Sequence, residues 1–448
     1  MAKSRHLDLT HGSIFSSLTR LALPITVTAF VQMAYNLTDM FWIGRAGADY
    51  VAAVGAAGNI LWLADSLMIV ARMGGQVKIG QSIGAKDISL ARHFIRITLQ
   101  AGMIFGAVLA IILMLFPSFF IGLYGFQSTD TVASGALYLR ITASTLPAYF
   151  LGKIFTGIYS ALGNTRIGLV ATGIGLVTNI ILDPILIFVC HMGVAGAAVA
   201  TITAEIIVFV IFVLYAMRDE KLFRGLKIFR RFDSRNFRTI LKVGLPAGMQ
   251  SGMFALISLF IGRMVAVYGA FAVAAQKIGA QVEAISWMTA DGFAVAMNAF
   301  TAQNYGANNP DRINRGYRIA LFIMGGFGLT ATVLLLFFPG QIMGAFLNEK
   351  DAVAVGASYL RIMGYSQLFM CVEIMTEGAL AGLGITLYPG IAAMVLTWIR
   401  IPMATFLSST ALGSDGIWWS ITISSILKGV ILFCMFRLPH EKRLRYLR

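Results

Sequence analysis

Charge is what this sequence has least of. Only 12% of its 448 residues are Asp, Glu, Lys or Arg, against 58% hydrophobic, and its mean hydropathy is +0.79, well outside the balance of soluble domains. A soluble helical protein with a thick core is excluded, because apolar runs of about 20 residues, enough to cross the hydrocarbon layer, recur from end to end. Cysteine is nearly absent: Cys190, Cys371 and Cys434 are scattered through apolar spans, an odd set that suits packing and not a disulfide framework or a metal centre. Histidine is scarce, and His6, His11, His93, His191 and His440 fall at ends or in loops. With no HExxH and no Ser or Cys beside a base, an enzyme is not expected. No short apolar stretch with a small-residue cleavage site precedes the first span, so no removable signal peptide is expected.

What is present is a set of twelve spans. Hydropathy predicts them near 17–44, 48–72, 93–124, 131–161, 166–190, 193–217, 239–266, 270–300, 315–338, 353–381, 386–409 and 415–436. A cytoplasmic N-terminus puts 27 of the 35 Lys and Arg on the cytoplasmic side, including nine from Arg218 to Lys242 and the tail "EKRLRYLR". Arg45, Arg140, Lys350 and Arg361 fall on the other side, and Lys153, Arg263, Lys277 and Arg400 inside spans. Both termini are therefore expected in the cytoplasm, with the chain in the inner, cytoplasmic cell membrane. The net charge of +15 is accounted for by that face, and no nucleic-acid partner is expected.

The chain also repeats itself. "LALP" (21–24) meets "VGLP" (243–246) and "GQSIGAKD" (80–87) meets "AQNYGANN" (302–309) at an offset of 222; "YLRI" recurs at 138–141 and 359–362, and "YSALGNT" (159–165) meets "LAGLGIT" (380–386), at 221. Four matches at one offset divide the chain into six-span halves, 1–217 and 239–448, joined by a basic linker at 218–238. Six spans per half insert both halves the same way round, an arrangement of transporters with a substrate site between halves and alternating access. A channel would not require mirrored halves with acids on one side.

Ionisable groups inside a bilayer are functional candidates by default. Eight acids lie in the spans: Asp39, Asp65, Asp183, Glu205, Glu283, Asp291, Glu373 and Glu377. "YNLTDMFWIGR" (35–45) puts Asn36 and Asp39 a turn apart near the outer end of span 1, about 8 Å below it. "NIILDP" puts Asn179 and Asp183 at i and i+4 on span 5, and "GVAGAAVAT" brings Thr201 of span 6 to about that depth along a small-residue stretch that permits close approach. Two unpaired carboxylates in low dielectric will not both stay ionised, which makes a proton site. The same oxygens of Asp39, Asn179, Asp183 and Thr201 also suit Na⁺, and the residues alone do not choose.

Plainer readings exist: Asn36 and Thr201 as interhelical ties, Asp183 as the mark of a bend at Pro184, Asp39 as a structural partner of a base. The second half differs, with "WIRIPMA" opposite "NIILDPI" and "GSDGIWWSI" opposite "GVAGAAVAT", so Ile401 and Ile421 stand where Asp183 and Thr201 do. Ion chemistry is expected in the first half alone; Glu373 with Glu377, and Lys277 with Glu283, are read as internal pairs or cavity lining. Among 22 methionines, Met33, Met68, Met253 and Met288, with Gln32, are the expected lining of a cavity for varied apolar ligands.

Taken in order, "LALPITVTAF", "YNLTDMFWIG", "GQSIGAKD", "ALGNT", "TNIILDPI", "GVAGAAVAT", "AQKIGAQVE" and "AQNYGANN" resemble the multidrug and toxic compound extrusion (MATE) family, most of all its DinF branch, over nearly the whole chain. The resemblance implies an all-α integral membrane protein of twelve transmembrane helices in two pseudo-symmetric six-helix bundles. It implies export of lipophilic, mostly cationic compounds in exchange for H⁺ or Na⁺, with no other cofactor and as a monomer. Asp39, Asn179, Asp183 and Thr201, with Tyr35 and Asn36 beside them, resemble that branch's ion site, and Pro24 is the expected bend of helix 1. The acid that the NorM branch carries on helix 7 is missing from "GLPAGMQSGMFALISLF". A flippase for lipid-linked oligosaccharides, from the related exporter superfamily, is the alternative; it would need a cationic cavity, for which only Lys153, Arg263, Lys277 and Arg400 are candidates.

Overall fold

The computed structural model describes residues 7–437 apart from 127, 220 and 229. His6, His440 and the basic tail at 441–448, which contributes to the expected orientation, lie outside them. Among the described residues every regular element is helical, the only open-ended solution for a backbone that must satisfy its own hydrogen bonds in lipid.

The first half comprises α1 (Ile14–Ala46), α2 (Ala48–Gly84), α3 (Ile88–Leu115) with α4 (Pro117–Gly122), α5 (Thr129–Ala143) with α6 (Leu146–Ala161), α7 (Arg166–Pro184) running into a π-helical turn (Ile185–Val189), and α8 (Gly193–Met217). The second comprises α9 (Ser234–Ala266), α10 (Ala270–Gly306), α11 (Pro310–Phe337) with α12 (Pro339–Gly344), α13 (Lys350–Gly364) with α14 (Gln367–Gly382), α15 (Leu387–Trp398) with α16 (Arg400–Ser408), and α17 (Ser414–Arg437). These make twelve spans, nine of them long and apolar enough to cross a membrane as described.

The third, fourth and fifth spans of each half are interrupted. The cause is local in the third span: Phe116 and Phe338 sit outside the helical region, at φ −122° and −120°, because each precedes a proline whose ring disfavours the α conformation before it. The second span of each half runs on to Gly84 and Gly306, so the "GQSIGAKD" and "AQNYGANN" motifs lie at helix ends. There Lys86 and Asn308 take φ of 60° and 53°. Asp87 and Asn309 then cap the next helix, accepting from the Leu90 and Arg312 amides at 2.9 and 3.3 Å.

Contacts divide the chain into two compact units, and the division does not follow the expected domain boundaries. One unit holds Val27–Gly248 and the described residues before Leu9; the other holds Leu9–Thr26 and the described residues from Met249. The crossings fall inside α1 and α9, two residues after Pro24 and Pro246. Both helices remain unbroken there, although each proline lacks an amide hydrogen for the carbonyl one turn earlier.

The expected linker is packed onto the first unit. Leu222 is buried, and Phe223, Leu226, Phe232 and Phe237 pack against the same apolar core. Gln100 donates to the Ile228 and Arg230 carbonyls at 2.6 and 2.7 Å, and Arg92 to the Arg224 carbonyl at 2.6 Å. Asp233 accepts from the side chain and amide of Asn236 and faces His93 at 2.9 Å; these bonds, Asn236 first, hold its carboxyl below the usual range, at about 2. In the second unit Arg312 donates to the carbonyls of Leu9, Gly12 and His11 at 3.1, 2.9 and 2.8 Å, and Asn304 to that of Leu9 at 3.1 Å.

Close helix crossings depend on glycine. A Cβ on Gly378 of α14 would stand 2.2 Å from the Ala294 carbonyl of α10, backbone that cannot yield. Gly378→Val is therefore expected to destabilise the protein by about 1–3 kcal/mol, as overpacking does. A lower thermal unfolding midpoint in detergent is the measurement.

Candidate functional site

In the first unit, α1, α7 and α8 bring Asp39, Asn179, Asp183 and Thr201 into the interior at 8%, 0%, 0% and 9% exposure. Asn179 Nδ2 donates to Asp183 Oδ1 at 3.2 Å, the i, i+4 pairing that the spacing predicts. Asp183 also interacts electrostatically with Asp39. α8 approaches closely because Gly196 has no side chain: a Cβ there would lie 2.7 Å from the Leu186 backbone in the segment after Pro184. The π-helical turn that follows Pro184 realigns the chain where α7 loses a backbone donor.

Hydrogen bonding in this cluster is unmet at several neighbouring oxygens at once. Tyr35 Oη, Asp39 Oδ1, Asn179 Oδ1, Asp183 Oδ2 and Thr201 Oγ1 are buried and have no hydrogen-bond partner, a condition that costs free energy unless something else fills it. No Lys, Arg or His among the described residues pairs with either aspartate. The donor set is all hard oxygen, fit for a proton or a small alkali cation. No group of three His, Cys, Asp or Glu among the described residues could hold a metal ion.

Other expected residues fall differently. Asn36 is exposed and stands outside the cluster, whereas Tyr35 interacts with both Asp39 and Thr201. Position i−4 lies about 40° around the helix from Asp39 and i−3 about 60° on the other side. Met68 is 3% exposed and packs in the apolar cluster with Ile43, Val54, Ala57 and Phe150. Gln32, Met33, Met253 and Met288 are half-buried. Lys277 does not pair with Glu283: it is exposed, and six residues put the two about 240° apart.

Sequence reasoning missed Tyr138, which α5 places beside Asp39, Asp183 and Thr201. Its signal was present in the "YLRI" repeat, whose second copy supplies Tyr359. Lys428 was missed too, being counted with the cytoplasmic basic residues. It is 7% exposed within α17, 2.6 Å from Glu373. Nearby Arg400 donates to Ser424 and Ser425, Glu377 accepts from Gln250 at 3.2 Å, and Glu283 accepts from Tyr359 and Gln367. In the second unit these cations are held in direct bonds.

A family model described as MatE matches residues 24–185 and 246–406, one copy in each half, each opening at a proline. The chain belongs to the MatE family. The two MatE matches begin 222 residues apart, the offset of the internal repeats. A curated relative, the probable multidrug resistance protein NorM of Thermotoga maritima, is 26% identical over 94% of this chain and 92% of its own. The probable multidrug resistance protein YoeA of Bacillus subtilis is 25% identical over 96% and 95%. A solved structure of an outward-facing multidrug resistance MATE family transporter superposes with a TM-score of 0.88 at 22% identity, covering both chains in full. The protein is thus a multi-pass membrane transporter of the MatE fold and not an enzyme.

Breaking the Lys428–Glu373 pair tests how this unit stores charge. Lys428→Met alone leaves a buried carboxylate unpaired and is expected to cost about 3–5 kcal/mol, whereas adding Glu373→Gln recovers most of it. Thermal unfolding of the single and double variants measures the difference.

Proposed function

We propose that the protein is a secondary active multidrug exporter of the DinF branch, carrying lipophilic cations out of the cell in antiport with protons. One observation carries the proton reading: five buried polar atoms around two aspartates lack partners, and no basic side chain neutralises them. A site of that kind holds a cation well when empty of drug and is the part of the molecule whose charge can change. Protonation of Asp39 and Asp183 removes charge from the first bundle and lets α1 bend near Pro24, where its packing passes from one unit to the other. The cavity then closes and the drug leaves.

Relatives named as multidrug resistance proteins support the substrate class, and the acid-free stretch of α9 from Gly244 to Phe260 supports the branch. Sodium remains a second reading, favoured by the unpartnered Asn179 and Thr201 oxygens. The flippase reading is disfavoured: Arg400 and Lys428 are engaged by Ser424, Ser425 and Glu373, which leaves no cationic pair in the second unit for a pyrophosphate, and in the first unit Lys153 stands among the carboxylates of Asp65 and Glu205. We place both termini in the cytoplasm and the chain in the inner membrane on the charge asymmetry of its loops, and we take it to act as a monomer.

Purified protein in liposomes loaded with a fluorescent lipophilic cation, with proton and sodium gradients imposed separately, tests the reading. Efflux should follow the proton gradient. Efflux that follows only sodium would transfer the coupling to the second reading, and efflux driven by neither would sink antiport. Asp39→Asn is expected to lower gradient-driven efflux by about 100-fold or more, the scale of losing an essential proton-transfer group, with unchanged expression.

A further inference from the structure

The first unit holds a second group of ionisable side chains, inward of the first. α2 supplies Asp65 and Arg72, α6 supplies Tyr149 and Lys153, α8 supplies Glu205, and Thr145 stands just before α6. Tyr149 donates to Asp65 Oδ2 at 3.0 Å and Thr145 to Glu205 Oε2 at 3.4 Å. Asp65 Oδ1 is buried with no partner. Lys153 Nζ lies 5.3 Å from the centre of the Tyr149 ring and interacts electrostatically with both Asp65 and Glu205, yet no ion pair or hydrogen bond joins it to either. Arg72 acts on Asp65 from the inner side.

Two features distinguish this group from a structural salt bridge. The first is that Lys153 stands off both carboxylates, unlike Lys428, which touches Glu373 at 2.6 Å. The second is access: Asp65, Tyr149, Lys153 and Glu205 each keep part of their surface exposed, whereas Asp39, Asn179, Asp183 and Thr201 are buried. Tyr35 bridges the two groups, interacting with Asp39 on one side and Glu205 on the other. It lies four residues inward of Asp39, and Glu205 four residues inward of Thr201, each about 6 Å.

We propose that Glu205 and Asp65, with Lys153 between them electrostatically, form a proton-carrying relay that connects the interior of the first bundle to water on the inner side. The inference rests on the proton reading above. In the resting state two carboxylates balance Lys153 and Arg72. Glu205 takes up a proton released by the buried cluster, an O–H breaking there as one forms on Glu205; Tyr35, whose hydroxyl has no hydrogen-bond partner, interacts with both groups and is itself unchanged. The group then has one positive charge in excess; passing the proton to Asp65 leaves that charge unchanged, and releasing it from there to water as hydronium removes it. No electron moves and no other bond changes. The charged and titratable groups that act on Glu205 are Tyr35 on α1, Asp65 on α2, Tyr138 on α5, and Tyr149 and Lys153 on α6; Arg72 of α2 acts on Asp65 and Lys153, and Asp39 of α1 and Asp183 of α7 act on each other and on Tyr138.

Glu205→Gln, Asp65→Asn and the conservative Glu205→Asp, reconstituted as full chains beside wild type, test the relay. Three readouts are needed: proton-gradient-driven efflux against pH, exchange of labelled for unlabelled dye without a gradient, and dye affinity. Glu205→Gln and Asp65→Asn should each lower gradient-driven efflux by about tenfold or more and flatten its pH profile, while exchange and affinity stay within about twofold. Glu205→Asp should restore most of the efflux. Wild-type efflux and pH profile in both neutral variants would overturn the relay, as would parallel loss of exchange, affinity and thermal stability, which marks a structural network. Wild type that ignores a proton gradient would instead sink the proton reading itself.

Discussion

Charge removed from water is the constraint on which this structure depends. In a bilayer a carboxylate has neither solvent nor screening, so each one is paired, hydrogen-bonded, neutralised by a proton, or held ready for a cation. The backbone obeys the same rule, which is why the regular elements among the described residues are all helices and why helix ends are capped by residues such as Asp87 and Asn309. Placement of the few acids is then the main freedom left.

The two repeats use that freedom in opposite ways. In the second unit Glu373 has Lys428, Glu283 has Tyr359 and Gln367, and Arg400 has two serines, a network in which each of these charged groups has at least one partner, although Glu373 Oε2, Gln250 Oε1 and Gln367 Oε1 have none. In the first unit the oxygens of Tyr35, Asp39, Asn179, Asp183 and Thr201 are left unanswered. The crossing of α1 and α9 between units, just past Pro24 and Pro246, sets the weakened turn of each helix where its packing partners change.

Much of this was legible in the residue order, because its causes are local. Span length, the 222-residue repeat and the i, i+4 pairing of Asn179 with Asp183 all follow from periodicity. The interruptions at Phe116 and Phe338 were equally local, written in the prolines that follow them, though hydropathy windows pass over such breaks. Lys428, Met68 and Tyr138 were not legible. Lys428 sits within a few turns of a basic helix end and reads as a cytoplasmic charge until α14 presents Glu373. Met68 reads like any other methionine on an amphipathic stretch until Phe150 and Ile43 close over it. Tyr138 stood out only as part of a repeated tetrapeptide.

By itself the sequence determined that this is a helical membrane protein of two like halves, with acids gathered near the outer ends of spans 1 and 5, since hydrophobic period, chain length and repeat offset depend on neighbours along the chain. The tertiary structure alone decided which of those acids find partners. Pairing depends on side chains about 55 to 84 residues apart, such as Lys428 with Glu373, Tyr149 with Asp65 or Gln367 with Glu283, meeting at one depth, and helix rotation and packing set that meeting.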